Sequence, residues 1–552
     1  MLVKPPLKIA ETVIKALTDL ELPTRKDLMM IIRKTIKNTN YAFPTSIQLW
    51  EAYRFLISQG FAKNEKIEKI LKVKDVRTNS GVAPITVLTK PYPCPGKCVY
   101  CPTEYRMPKS YISSEPAAAR ALSLDFDPYE QVKQRIQALE RNGHTANKIE
   151  LIIKGGTWSV YPKDYREWFI TRCFEAANEL GNTTLSKDDN SAKHDLKNSQ
   201  LINESANYRI IGLTIETRPD CITPDEIIHL RKLGVTRVEL GLQIINDRVL
   251  KLTNRGTTVA DAEYAIALLK TAAFKVDVHI LPGQPGTSRK DDLQSFKILF
   301  DDPRFRPDMI KLYPCVVLPN SDLYEITKRG DFKPLEGKEL RELLIKMQSI
   351  IPYYCRVSRL IRDFPTADIS HGNKQTNLRE SIETEMNKRG IKCKCLRCRE
   401  VGHVQGNYAN DKTQLFEERY ENAGGIEVFL SIENENRDVV FGFCRLRLPK
   451  LPYQKNTSHK IKNWEIYKAF PILQSSAQIR ELHTYGTALN INQQNQEASQ
   501  HKGYGRTLIA KAEEIANKEG YQNIVVISGI GVREYYKNLG YHKQDTYMVK
   551  KF

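Results

Sequence analysis

The sequence has 552 residues, 41% hydrophobic and 27% charged, with a formal net charge of +19. That mix belongs to a multidomain globular protein, and its basic excess predicts a polyanionic partner. No run reaches the ~18 apolar residues of a membrane span, and Lys8, Glu11 and Lys15 interrupt any signal-peptide core, which disfavours a membrane or secreted protein.

Residues 1–80 read as a basic helical region. Ile9, Val13, Ile14, Leu17 and Leu20 form one apolar stripe, and Leu49, Trp50, Tyr53, Leu56 and Ile57 another. Residues 1–90 hold 16 Lys and Arg against 8 Asp and Glu. Such charges are often only solvated helix faces. An excess on so short a helical segment also fits a nucleic-acid-binding module.

Residues 81–350 alternate β-rich runs with helical patterns. The strands are expected at Ile85–Thr89, Glu150–Lys154, Ile211–Glu216, Arg237–Leu240, Val276–Leu281 and Met309–Tyr313, with helices such as Pro224–Leu233 and Val259–Ala272 between later ones. Six strand–helix units predict a parallel sheet, open or curled into a partial (β/α)6 barrel, with its chemistry at the strands' C-terminal ends. The polar stretch 185–208 reads as a surface insertion. Residues 351–408 read as an irregular linker with a cysteine cluster. Residues 409–552 read as a second α/β domain: strands around EVFLSIE and VVFGFCRLRL, a helix Arg506–Glu519, a strand Ile524–Ser528 and a polar loop at 490–500.

The 11 cysteines are odd in number and clustered, which fits metal ligation in a reducing, cytoplasmic compartment better than disulfides. Cys94, Cys98 and Cys101 form a C-x3-C-x2-C run directly after the first strand. Three thiolates can hold three irons of a [4Fe–4S] cluster and leave the fourth open to a small ligand. A structural zinc normally takes four ligands, which this run does not offer. Farther along, Cys393, Cys395 and Cys398, joined by Cys315, would complete a closed zinc site, with His403 able to replace Cys315 and a second iron–sulfur cluster as the rival. Cys173, Cys221, Cys355 and Cys444 read as core or inert residues. Near the C-terminus, QHKGYG leads straight into a helix, where free backbone N–H groups form an anion site suited to a pyrophosphate.

The three-cysteine run resembles the radical S-adenosylmethionine (SAM) superfamily. That resemblance implies SAM contacts at Gly155, Gly156 and Thr157 after the second strand, at Glu216 and Arg218 (with Asp220) after the third, and at Gln243 after the fourth, with His279 on the fifth. A loop salt-bridge network is the plainer reading of Glu216, Arg218 and Asp220. The C-terminal glycine loop resembles the GNAT acetyltransferases, in which Tyr535 and Tyr536 of GVREYYKNLGY would lie near a thioester. Two surface aromatics packed into the core are the plainer reading.

Taken with CVYCPTE, MPKSYISSEPAAARA, GLTIETRPD, IRELHTYG, HKGYG and ISGIGVREYYKNLGY, the chain resembles the catalytic-subunit family of Elongator, which modifies tRNA uridine(34). It departs in Lys154 before the glycine pair and in the insertions at 185–208 and 490–500. The resemblance implies a tRNA-binding N-terminal region meeting the anticodon stem-loop. It also implies acetyl-CoA contacts from Lys148, Glu481, Leu482, His483, Thr484, Gly503, Tyr504, Gly505, Arg506 and Tyr536, with Tyr535, Tyr536 and His483 as catalytic candidates. The implied reaction uses a SAM-derived radical to join the acetyl methyl carbon to C5 of the wobble uridine, leaving a carboxymethyl group after hydrolysis. The alternative is a protein lysine acetyltransferase with a structural iron–sulfur site, its general base being Glu481 or His483.

Overall fold

Seven strands run parallel in one sheet, in chain order: β1 (Ala83–Leu88), β2 (Lys148–Lys154), β3 (Arg209–Thr217), β4 (Arg237–Gln243), β5 (Lys275–Ile280), β6 (Met309–Leu312) and β7 (Arg356–Arg359). The computed structural model describes residues 3–72, 80–181, 195–404, 406, 408, 411–450, 463–486 and 503–552. β1 and β7 are the two edges, so the sheet is an open partial barrel. All six expected strands are present. The seventh was not read from sequence, because RVSR carries two arginines in four residues and lacks an apolar run.

Alternation along the strands sets two faces. Ile149, Leu151, Ile153, Val238, Leu240, Val276, Val278, Ile310 and Leu312 join one large core. The alternate residues line the concave face and are charged: Glu150 and Lys154, Glu216, Arg237 and Glu239, Lys275, Asp277 and His279, and Lys311. Register places Glu216, Glu239 and Asp277 side by side across β3, β4 and β5.

The N-terminal helices Leu7–Thr18, Arg25–Ile36, Ser46–Ser58 and Glu65–Leu71 bury a core of their own around Val13, Ile14, Leu17, Leu49, Trp50 and Tyr53. Thr24 and Thr45 start the second and third with reciprocal capping boxes, which satisfy donors that the first turn leaves open. Leu20, expected on the first stripe, lies past the helix end and is exposed.

The second sheet contains β8 (Thr413–Asn422), β9 (Gly425–Asn434), β10 (Val440–Pro449), β11 (Ser476–Thr484), β12 (Asn523–Val526), β13 (His542–Gln544) and β14 (Tyr547–Lys551), in the order β13-β14-β12-β11-β10-β9-β8. The helix Tyr504–Lys518 packs its Leu508, Ile509, Ala512, Ile515 and Ala516 into this sheet's core. Among the described residues no helix is long and apolar enough to cross a membrane.

The polar stretch at 185–208 is not wholly a surface insertion. Residues 182–194 lie outside the described residues, but Leu196–Asn203 is a helix with Asn203 fully buried. Its polar side chains hide it from pattern reading while bonding internally: Asn203 Nδ2 donates to Asn178 Oδ1 at 2.8 Å, and Ile210 N donates to Asn203 Oδ1 at 2.8 Å. The span 351–408 likewise contains the helix Leu378–Lys388. The 490–500 loop lies outside the described residues.

The second sheet docks on the N-terminal ends of the barrel strands. Gly529 sits against β3 so closely that a Cβ there would stand 2.0 Å from Ile211 O. The joint is a buried ion cluster. Asp308, just before β6, accepts from Lys270 Nζ at 2.9 Å, Arg480 Nη1 at 2.9 Å and Val276 N at 2.9 Å, and also pairs with Arg480 Nη2 and, at 3.7 Å, with Arg445 Nη1. Glu427 accepts from Arg480 Nε at 3.0 Å and Arg447 Nη1 at 3.1 Å. Arg445 Nη2 reaches Tyr354 O at 2.8 Å. Burial opposes ionisation of Asp308, yet Arg480 and Lys270 outweigh it and hold the carboxyl well below its ordinary range.

Removing one member of such a cluster leaves a buried charge short of its partner, at a cost of about 3–5 kcal/mol. Asp308→Ala is therefore expected to lower unfolding stability by about that amount and to speed hydrogen exchange in β5 and β11 together. A stability change under about 1 kcal/mol would show that the joint is held by other contacts.

Candidate active site

Cys94, Cys98 and Cys101 lie on the loop leaving β1, at the C-terminal rim of the barrel. Gly96 N donates to Cys94 Sγ at 3.4 Å, and Thr157 Oγ1 lies 3.4 Å from the same sulfur. Arg255 Nη1 donates to Cys98 Sγ at 3.5 Å, while its Nη2 holds Gly241 O at 2.6 Å. Arg218 forks onto Asp220 at 2.9 and 2.8 Å and binds the carbonyls of Arg255 and Gly256. Burial and the neighbouring Cys98 push the Cys101 thiol up to about 11, against the pull of Lys109 and Arg362. Three thiols on one loop with Arg255, Arg218, Lys109 and Arg362 close by match the donor set and charge balance that an anionic [4Fe–4S] cluster needs.

The SAM-type positions share this rim. Gly156 has φ +88°, and a Cβ there would stand 2.9 Å from Lys109 O, so the chain leaves a cradle that only glycine permits. Gln243 ends β4 at φ +72°, an uncommon conformation for a side-chain-bearing residue. Glu216 accepts from Tyr111 Oη at 2.7 Å and pairs with Lys154 at 3.1 Å. Burial disfavours its charge, but Lys154 and His279 prevail and bring the carboxyl down to about 2. Glu239 pairs with Lys154 and Lys311 and meets His279 Nε2 at 3.2 Å. Burial lowers Lys311 to about 8 despite Glu239. The structure thus brings Gly155, Gly156, Thr157, Glu216, Arg218, Gln243 and His279 to one end of the barrel. Sequence reading missed Tyr111, Glu239, Arg255, Lys311 and Arg362. For Glu239 and Lys311 a signal existed: each is a charge flanked by apolar strand residues, Val238 and Leu240 in one case and Ile310 and Leu312 in the other.

The C-terminal positions gather elsewhere. Among the described residues, β11 pairs in parallel with β12 over Ser476–Ile479 and then continues to Thr484 along β10. Glu481, Leu482, His483 and Thr484 therefore lie where β11 and β12 part. A bulge at Arg480 marks the divergence, as strand bulges do where pairing ends. The helix Tyr504–Lys518 begins after Gly503, which has φ +76°. A Cβ on Gly505 would stand 2.8 Å from Tyr535 Oη and 3.8 Å from Thr484 Cγ2, so this loop, Tyr535 and the parted strand converge. Tyr536 is 5% exposed and packs edge-on against Tyr535 and Tyr541, behind the opening. His483 stacks on Phe443 and meets Ser80 O at 2.9 Å. Burial disfavours the Glu481 charge, but Lys275 and Arg445 hold the carboxyl near 2. Lys148 is half-buried at the first position of β2, and burial lowers its pKa.

These two groups lie at opposite ends of the barrel. On β5, Lys275 beside Glu481 and His279 at the cysteine end are about 13 Å apart at ~3.3 Å per residue. Between them run the inward charges: Lys275 lies 3.6 Å from Glu481, Arg237 pairs with Glu150, and Ser358 Oγ donates to Asp277 at 3.3 Å.

The thiols of Cys393, Cys395 and Cys398 lie within 4.8 Å of one another, a spacing that suits a single ion. Thiolates on a tetrahedral zinc stand about 3.8 Å apart. Cys315 is not among them, contrary to expectation. It follows the C-terminal end of β6, packed with Val317, Leu323 and Tyr100, whereas Leu396 N bonds Cys355 O just ahead of β7's opposite end. His403 is also outside the group, near Arg397 and Glu400. Glu383 Oε1 lies 3.8 Å from Cys398 Sγ and pairs with Arg379 Nη1 at 3.3 Å, outside the three-thiol group. Cys173, Cys355 and Cys444 are buried in the cores.

A family model described as the radical SAM superfamily matches residues 92–297, and one described as the radical SAM C-terminal domain matches residues 307–388. A tRNA uridine(34) acetyltransferase of Methanocaldococcus jannaschii is 43% identical, covering 87% of this chain and 86% of its own. Elongator complex protein 3 of Saccharomyces cerevisiae is 35% identical, covering 87% and 86%. The solved structure of Methanocaldococcus infernus Elp3 with an N-terminal deletion aligns at TM-score 0.70 and 40% identity, covering 86% of this chain and 99% of that one. With identity at this level along nearly the whole chain, the protein belongs to the tRNA uridine(34) acetyltransferase family that includes Elongator complex protein 3.

Proposed function

We propose that the chain modifies the wobble uridine of tRNA, placing a carboxymethyl group on C5 by SAM-dependent radical chemistry with acetyl-CoA as the carbon source. The observation that carries this reading is the union, in one chain, of a three-cysteine rim and a parted β11–β12 strand pair. Relatives named for tRNA uridine(34) acetylation support the substrate.

Cys94, Cys98 and Cys101 would hold a [4Fe–4S] cluster with SAM, which supplies radical chemistry able to act at a carbon too weakly acidic for ordinary acyl transfer. Around it, Arg255 and Arg218 offset thiolate charge. The backbone at Gly155 and Gly156 lets a ligand approach closely. Glu216 remains a carboxylate, able to accept from ligand hydroxyl or amino groups. At the other end, the helix start at Gly503–Arg506 would bind the acetyl-CoA pyrophosphate through free N–H groups. The stretch Glu481–Thr484, where β11 and β12 part, would hold the pantetheine arm, and Tyr535 is the hydroxyl at the opening. Tyr536, a catalytic candidate from sequence together with Tyr535, would support Tyr535 from behind. The basic helices of residues 1–80 would take the tRNA backbone. Cys393, Cys395 and Cys398 would hold a structural zinc.

A lysine acetyltransferase would need a general base poised near neutral pH. Glu481 is committed to Arg445 and Lys275 with a carboxyl near 2, and His483 is buried against Ser80 O. Neither supports that reading.

Two tests follow from these assignments. Gly505→Glu would place bulk and negative charge at the helix start. Acetyl-CoA affinity by titration calorimetry should fall at least about tenfold, the scale of losing a favourable anion site and gaining a repulsive one, with SAM binding unchanged. Full modified-nucleoside yield from this variant would contradict the assignment of the C-terminal site. Separately, Cys98→Ala should abolish iron binding and retain zinc, and Cys393→Ser should do the reverse, by elemental analysis after anaerobic reconstitution. Loss of both metals in either variant would contradict two independent sites.

A further inference from the structure

Beside the cysteine loop, at the C-terminal rim, lies a cavity of about 270 Å³ that none of the assignments above uses. Pro314 and Val316 after β6 and Ile361 and Phe364 after β7 give it apolar walls, and Asn373 and Gln375 give it two carboxamides. Its size is near the lower end of the ~300–1,000 Å³ range of ligand pockets, enough for one nucleoside but not a run of strand.

The cavity is tied to the cysteine rim through one side chain. Arg362 lies between two rings, 4.7 Å from the Tyr111 centroid and 4.5 Å from that of Phe364. Its Nη1 donates to Ser110 Oγ at 2.7 Å, and Ser110 N donates to the carbonyl of Pro102, next to Cys101. Tyr111 in turn donates to Glu216. Whatever sits on Phe364 is therefore one guanidinium away from the loop that carries the cysteines.

The lining has the chemistry that reads an unpaired base. Single-stranded bases stack on aromatic rings and arginine planes and are read along their Watson–Crick edges. Phe364 is half-buried with Arg362 on one face, which leaves part of the ring for a ligand. Asn373 Nδ2 donates to Gln375 O at 3.1 Å and Gln375 Nε2 to Asn377 Oδ1 at 3.0 Å. Each bond orients its carboxamide and uses one of its two N–H donors, which leaves the second N–H and the carbonyl oxygen to meet the C=O and N–H of an imide edge. Lys374, exposed between them, suits a flanking phosphate.

We propose that this cavity receives the target pyrimidine nucleoside, extruded from its RNA, with the base stacked on Phe364 and its imide edge read by Asn373 and Gln375. Extrusion follows from the geometry, because a reacting base must leave its stack to reach a recessed site. The inference rests on the proposed function and adds the substrate subsite to it.

The test uses the full chain, reconstituted anaerobically, with an anticodon stem-loop RNA carrying 4-thiouridine at the wobble position. Irradiation should cross-link residues 361–376, mapped by peptide mass spectrometry. Phe364→Ala should reduce that cross-link about tenfold, the scale of one lost stacking contact, while total RNA affinity changes less than about twofold because phosphate contacts dominate it. Phe364→Trp should retain it, which separates loss of stacking from loss of fold. Cross-linking outside 361–376, or an undiminished yield in Phe364→Ala, would overturn this subsite alone. Loss of SAM binding in Phe364→Ala with the cross-link intact would assign the cavity to the SAM adenine and overturn it too. Failure of the wild-type chain to bind the RNA would overturn the proposed function and this inference with it.

Discussion

One buried carboxylate, Asp308, holds the two halves of this protein in register. It has no exposed surface, and it accepts from Lys270 of the barrel and Arg480 of the C-terminal sheet at once. Glu427 of the C-terminal sheet fixes Arg480 and Arg447 of the same sheet and faces Lys270 of the barrel at 3.9 Å. Desolvating this many charges is costly, and packed apolar side chains would serve stability at least as well. What the ions add is geometry: each guanidinium donates along a fixed set of directions, which orients one sheet on the other.

That orientation places the two ligand-type regions at opposite ends of the same strands. The cysteine rim takes the C-terminal ends, where parallel α/β folds place their chemistry. The C-terminal sheet seals the other end, so the parted strand at Glu481–Thr484 faces the barrel base. The concave face between them is a row of charges in place of the apolar layers that usually fill a barrel. Lys154, Glu216, Glu239, His279 and Lys311 form its upper group, and Glu150, Arg237 and Lys275 its lower one. A polar interior makes sense if the barrel joins two sites rather than merely supporting one.

Much of this was legible in the sequence where local rules dominate. Strands β1–β6 follow from short apolar runs between helical periods, and the Cys94–Cys101 spacing and the glycine-led helix at Gly503 are local motifs. What escaped reading depends on distance along the chain. Cys315 joins the second cysteine cluster on paper, but β6 and β7 carry the two to opposite ends of the barrel. Tyr535 and Tyr536 are adjacent in sequence, and only packing against Tyr541 shows which is buried. The helix Leu196–Asn203 is polar by composition and buried because Asn178 and Arg533 bond its polar groups and those of the adjoining Glu204. Glu239 and Lys311 look like misplaced charges until their strands are seen side by side.

The account stands on the claim that both ends of the barrel serve one reaction on one RNA. The most direct measurement is mass spectrometry of tRNA nucleosides after anaerobic incubation with SAM, reductant and acetyl-CoA carrying ¹³C in both acetyl carbons. The account predicts a doubly labelled two-carbon unit on the wobble uridine, formed only when SAM is present. Label confined to protein lysines, or appearing in tRNA without SAM, would contradict it.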